Sequence, residues 1–343
     1  READTLTMLA QLNRNQQTHS FTRNDHKQWQ AKNEQTNDRY ERGDHSQHSQ
    51  DQANLRQAAQ SQGRVNKNDT PYNQGGVMLR DFPNREGYQA DFLGVNLPLP
   101  TLDEELAALA APLKNDPSSH ELKYTHFSVI QHKERRTPLL TAVNVDGAQY
   151  VEHERDGKWV YDSRIDTKFQ MGNEAYSNNS FDKGHMVRRR DPMWGPNADK
   201  GQDDTFVYTN AALQHSNLNQ KNWLDLENHV LNGAIEGQKK VTVFTGPVLR
   251  EDDPRFDNQG KMNPPTQIPR AFYKIAVEAD PKGGLQGAAY VMHQDDLIQR
   301  NSSGGQEHVE LTNFDQFRVT IKQLEEMTDI NFGDIHEAPK EAA

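Results

Sequence analysis

The chain has 343 residues, a hydrophobic content of 33% and a formal net charge of −11, which allows one large domain or two small ones with part of the chain unpacked. It contains no cysteine, excluding disulfides, thiolate metal sites and a cysteine nucleophile. No apolar run is long enough to cross a bilayer as a helix, and the acidic balance argues against a tight binder of polyanions unless a local positive cleft exists.

Residues 1–75 form a polar arm rich in Gln, Asn, His, Asp and Arg, expected to be disordered or loosely helical. The chain opens on Arg1 rather than Met, which is read as trimming of a longer precursor. Residues 76–120 are a Pro-punctuated lead-in. Within them Thr101 to Glu104 reads as a capping box before a short helix, ELAALAAPL. Residues 121–335 form the main domain. YTHFSVIQ, PLLTAVNVDG, KWVYDSRI, TFVYTNA, KVTVFTGPVL, RAFYKIAVEA and LQGAAYVMH read as strands. NQKNWLDLENHVLNGAIE reads as one continuous helix and FDQFRVTIKQLEEMT as a terminal helix. Strands interrupted by a few helices, without strict alternation, predict an α+β fold.

One stretch carries chemistry. Asp182, Lys183, Gly184 and His185 place an imidazole behind a glycine and beside a lysine, with Arg188, Arg189 and Arg190 just beyond. An imidazole titrates near neutrality and suits a general base. Gly184 would allow a sharp turn or close approach. Downstream, Asn219 offers a neutral amide oxygen suited to Mg²⁺, or alternatively a helix N-cap. Glu227 lies eight positions on, about 12 Å away in a continuous helix, which casts it as an outer-shell carboxylate rather than a second ligand. Trp223 between them reads as core. Arg164 is a candidate phosphate clamp, with surface salt bridging as its plain alternative. The Arg188–Arg190 run either steers a nucleic-acid backbone or is a solvated face.

These motifs resemble those of the DNA/RNA non-specific endonuclease family, of the Serratia nuclease and mitochondrial endonuclease G type, within the ββα-metal nucleases. FDKGHMVRRRD resembles that family's Asp-Arg-Gly-His motif. TNAALQHSNLNQKNWLDLE resembles its Asn-x-x-Pro-Gln and Leu-Asn-x-x-x-Trp-x-x-Leu-Glu segment, and the likeness spans about residues 79–333. The resemblance implies a ββα-metal nuclease fold with a central antiparallel sheet flanked by helices. It implies that His185 is the general base, Asn219 the one direct protein ligand of Mg²⁺ (with Mn²⁺ able to substitute), and Glu227 a ligand through water. Arg164 would stabilise the phosphate and leaving group, Asn210 would build the site around His185, and Lys183 stands in place of the motif's arginine. Arg188, Arg189 and Arg190 would contact substrate.

The expected activity is Mg²⁺-dependent hydrolysis of DNA and RNA, with a 5′-phosphate product. A homodimer and a proteinaceous inhibitor are kept open as partners, and the compartment is expected to be extracellular (secreted) or periplasmic. Two readings compete: a nucleic-acid-binding protein of the same fold with little catalysis, and a secreted nuclease effector or toxin held by an inhibitor. Two departures stand out. Lys183 removes a bidentate fork, and Leu213 stands where the family has proline.

Overall fold

The computed structural model describes residues 69–295 and 314–340; most of the expected polar arm lies outside them. At its end, Tyr72–Gln74 and Val77–Arg80 pair as an antiparallel hairpin about Gly75–Gly76. The expected boundary at residue 75 therefore falls inside a turn.

Strands β1 (Phe127–His132), β2 (Thr137–Asp146), β3 (Phe181–His185), β4 (Ala211–His215), β5 (Lys240–Val248), β6 (Ala271–Ala279) and β7 (Leu285–His293) carry the fold. The main sheet runs Arg318–Val319, β7, β6, β5, β2, β1 and Leu122–Lys123. All these neighbours are antiparallel, while His336–Glu337 adds a parallel edge beside β7. The α+β architecture with a central antiparallel sheet flanked by helices is thus present.

The central strands are apolar on both faces because helices cover both. On one face Leu140, Phe244, Tyr273 and Ile275 pack with Leu324 of the helix Ile321–Thr328. On the other, Val143 and Val243 meet Leu231 and Ala234, and Phe272 meets Trp223 and Leu226. These last residues belong to helix α1 (Asn222–Glu236), and Trp223 is fully buried. Strand alternation sorts β6 cleanly: Tyr273, Ile275 and Val277 face one core, Phe272 and Lys274 the other.

Several segments differ from their sequence reading. KWVYDSRI contributes only Tyr161–Asp162, parallel to Leu79–Arg80. TFVYTNA forms a tight turn at Tyr208–Asn210, and the strand begins at Ala211. The first helix starts at Glu104 and is capped by Asp103, whose Oδ1 accepts from Leu106 N at 2.7 Å. Thr101 instead lies in a short strand paired with Asn331. The terminal helix begins late, where Thr320 and Gln323 form a true capping box.

Candidate active site

The DKGH stretch is extended. β3 and β4 form a separate two-stranded ribbon in which Asp182 opposes Gln214, Gly184 opposes Ala212 and His185 opposes Ala211. The short helix Ser216–Asn219 and then α1 follow directly, so two strands and a helix frame the site. Gly184 makes no sharp turn. A Cβ there would lie 2.6 Å from the Gln214 Cβ and 2.7 Å from its Oε1, so glycine is required by the close approach of the buried Gln214 side chain.

The expected continuous helix is broken. Asn219 closes the short helix, and Lys221, at φ −124 and ψ −106, begins α1 without a side-chain cap. Asn219 is therefore not an N-cap. Its Nδ2 donates to Asp182 Oδ2 at 2.9 Å, and Gln220 Nε2 donates to the same oxygen at 2.8 Å. This fixes which end of the Asn219 amide faces Asp182. The carbonyl Oδ1 accepts no hydrogen bond among the described residues.

Lys183 and His185 alternate onto one face of β3. His185 sits in an aromatic box, with ring centroids 4.9 Å from Trp159 and 4.9 Å from Phe206. Its Nε2 is buried and without a hydrogen-bond partner. Burial, and then the charges of Arg155 and Arg189, push the imidazole pKa well below its ordinary value. Lys183 Nζ lies 5.7 Å from the Trp159 ring and 5.9 Å from that of Tyr208, and burial lowers its pKa. Asn210, fully buried, clamps the chain after His185. Its Oδ1 accepts from Val187 N at 2.8 Å, and its Nδ2 donates to Val187 O and Thr205 O.

Glu227 is 7% exposed on the buried face of α1. Burial raises its carboxyl to about 7; Arg188 and Lys274 oppose the rise and Asp191 adds to it. Lys274 Nζ donates to Thr245 Oγ1 at 2.9 Å beneath the Trp223 ring. No hydrogen bond joins His185, Asn219 and Glu227 to one another among the described residues, and no group of three or more His, Asp or Glu gathers as a metal cage there.

The expected arginines are placed otherwise. Arg164 donates through Nε and Nη2 to both oxygens of the fully buried Asp162, and through Nη1 to Lys123 O. Its guanidinium lies over the Phe82 and Tyr124 rings. Arg188, Arg189 and Arg190 do not form an exposed basic stripe. Arg188 donates to Asn228 Oδ1 at 2.6 Å, Arg189 to Gln202 Oε1 at 2.8 Å and His153 O at 3.3 Å, and Arg190 pairs with Glu152 at 3.5 Å. Arg188 and Arg189 are buried. Burial keeps Arg188 and Arg189 from solvent, and of these contacts only that of Arg190 is to a carboxylate. Sequence reasoning passed over Arg155, Trp159 and Phe206, which surround His185. The aromatic pair carried only a β-strand signal, and nothing marked Arg155.

Residues 107–337 match the family described as DNA/RNA non-specific endonuclease. The chain belongs to this family of nucleases. It is 38% identical over 229 residues to an uncharacterized protein, y4fB, of Sinorhizobium fredii, a match covering 63% of this chain and 33% of that protein. It is 28% identical over 139 residues to the human mitochondrial endonuclease G, covering 38% of this chain and 44% of that one. The chain thus spans about a third to under a half of these relatives' length. A solved complex of EndoG with EndoGI resembles it at a TM-score of 0.49 and 21% identity, over 62% of this chain and 85% of the other.

Proposed function

We propose that the chain is a Mg²⁺-dependent endonuclease that hydrolyses DNA and RNA without strong sequence preference, using His185 as general base. The observation that carries this reading is the Asp182–Asn219 contact: it holds the amide nitrogen inward and leaves the Asn219 carbonyl oxygen for a hard cation. The residues present fit such an ion. Asn219 would hold it directly and Glu227 through water, with Asp182 orienting the first ligand from behind. Mn²⁺ carries the same preference for oxygen. When bound, the ion supplies charge stabilisation at the phosphoryl oxygens.

The chain's own groups supply the rest. Nε2 of His185 is buried, so Nδ1 is the atom that accepts a proton from water. The depressed pKa keeps the ring neutral at physiological pH, so that its free lone pair is open to a proton, at the cost of a weaker base. The water oxygen then bonds to phosphorus, the bond to the 3′ oxygen breaks, and that oxygen takes a proton from solvent, leaving a 5′-phosphate. Trp159 and Phe206 exclude other water from the ring. Asn210 holds the backbone that follows the base. Contacts made mainly to phosphates carry little sequence information, which gives the low specificity.

The test is digestion of plasmid DNA and of RNA, with and without Mg²⁺, by native protein and His185→Ala. Metal-dependent smearing that the substitution abolishes is expected. No cleavage by native protein with Mg²⁺ or Mn²⁺ would refute the enzyme reading, and undiminished cleavage by the variant would remove the role of His185.

A further inference from the structure

One buried cation stands behind the proposed centre and takes no part in the chemistry above. Lys274 lies in the middle of β6 and is 1% exposed. Its neighbours across the sheet are Thr245 on β5 and Tyr290 on β7, and strand alternation turns it toward α1 together with Phe272. That side of the core is otherwise apolar and aromatic: Trp223, Leu226, Phe272, Tyr290 and Met292 pack together there. A methionine would suit such a position, whereas an ammonium is costly there unless anions meet it.

The hydrogen bond of Lys274 does not offset that cost. Nζ donates to the neutral Thr245 hydroxyl at 2.9 Å and lies 5.0 Å from the Trp223 ring. Trp223 precedes Glu227 by one turn of α1, so the two project side by side from one face of the helix, and both are buried. The ring over Lys274 thus brings the Glu227 carboxyl to the same side of the sheet. Asp191, 4% exposed, adds a second buried carboxyl, and Arg188 is tied to Asn228, the residue after Glu227. Burial lowers the Lys274 pKa, while the charge of Glu227, and after it that of Asp191, works against the fall. These charges meet in a dry interior, where solvent screens them little.

From this placement, and resting on the reading of Asn219 and Glu227 above, we infer that Lys274 is a positioning residue for the metal centre, holding the Glu227 side chain from behind in the orientation that receives metal-bound water. The role needs no contact with ion or substrate. A carboxylate that acts through water has no bond to the ion to fix its direction, so an outer partner must fix it. Asp182 orients the amide of Asn219 in this way, and Lys274 orients the carboxyl of Glu227.

The experiment is Mn²⁺ binding to the full chain, read by EPR of the free ion, for native protein, Asn219→Ala, Glu227→Gln, Lys274→Met, Lys274→Gln and the double variant Lys274→Met/Glu227→Gln, with the Tm of each in EDTA. The binding that Asn219→Ala removes defines the site. Glu227→Gln and Lys274→Met should each weaken it by about 10- to 100-fold. The double variant should bind within about twofold of Glu227→Gln alone, because the lysine acts only through that carboxylate. Lys274→Gln keeps a donor for Thr245 and loses the charge, so it should bind as poorly as Lys274→Met even where its Tm recovers. A merely structural role would move Tm and leave the affinity of the folded protein in place.

Lys274→Met and Lys274→Gln within about twofold of native, beside a weakened Glu227→Gln, overturn the inference and leave the metal reading standing. Losses that multiply in the double variant, or binding in Lys274→Gln that recovers in step with Tm, also overturn it. No Mn²⁺ bound by native protein, or binding that neither Asn219→Ala nor Glu227→Gln weakens, removes the underlying reading and the inference with it.

Discussion

Replacing Glu227 by glutamine isolates the electrostatic state of the buried side of the site. Glu227 is buried on α1, and its carboxyl is raised from an ordinary 4.5 to about 7, burial outweighing the attraction of Arg188 and Lys274. Below about pH 4.5 the folded and unfolded chains are both protonated there, and burial carries no ionic penalty. Between the two values the folded protein retains a proton that the unfolded chain has released, so stability falls as pH rises. Above about 7 the whole penalty is present, roughly 3 kcal/mol at about 1.4 kcal/mol for each tenfold change. Glutamine keeps the shape and removes this titration. Urea unfolding in EDTA, at pH 5 and at pH 8.5, should show the stability of Glu227→Gln relative to native rising by about 2.5 kcal/mol between the two. Titrating groups beyond the reach of Glu227 cancel in that difference. Parallel pH dependence in the two proteins would refute the reasoning, because it would mean that Glu227 ionises in the folded state as it does in the unfolded chain.

Two further outcomes follow from contacts at the site. Arg164→Met leaves the fully buried Asp162 unpaired and should cost about 3–5 kcal/mol, seen as a fall in Tm, while kcat per folded molecule changes less than about tenfold; a larger loss of kcat at unchanged Tm would return Arg164 to the phosphate. Asp182→Ala frees the Asn219 amide and should raise the Mg²⁺ concentration needed for half-maximal cleavage by about 10- to 100-fold, and an unchanged Mg²⁺ titration would show that Asp182 does not orient a ligand.

The parts of the fold legible in the sequence were those fixed by local pattern. β2, β5 and β6 are long runs rich in β-branched or aromatic residues, and such runs have few alternatives to a buried strand. The spacing of Trp223, Leu226, Val230 and Leu231 likewise left little choice but a helix with one apolar face. What the sequence hid was set by partners far away or by local breaks. The helix is interrupted at Lys221 although no proline or glycine marks the break. Asn219 consequently ends one helix instead of opening another, and its amide meets Asp182 across 37 positions of chain.

Charge was the least legible property, because a letter gives the sign of a side chain but not what neutralises it. Arg188, Arg189 and Arg190 look alike in sequence, yet the bend after β3 sends them to Asn228, Gln202 and Glu152 in turn. Arg164 sits two positions from Asp162, and only the bend at Ser163 lets its fork close back on both carboxylate oxygens. These four arginines therefore act as internal fasteners, and the overall charge of −11 is no measure of the field at the site. That field is set by the cations whose charge reaches the His185 box, Arg155 at its rim and Arg189 behind it, with Lys183 on the same strand face.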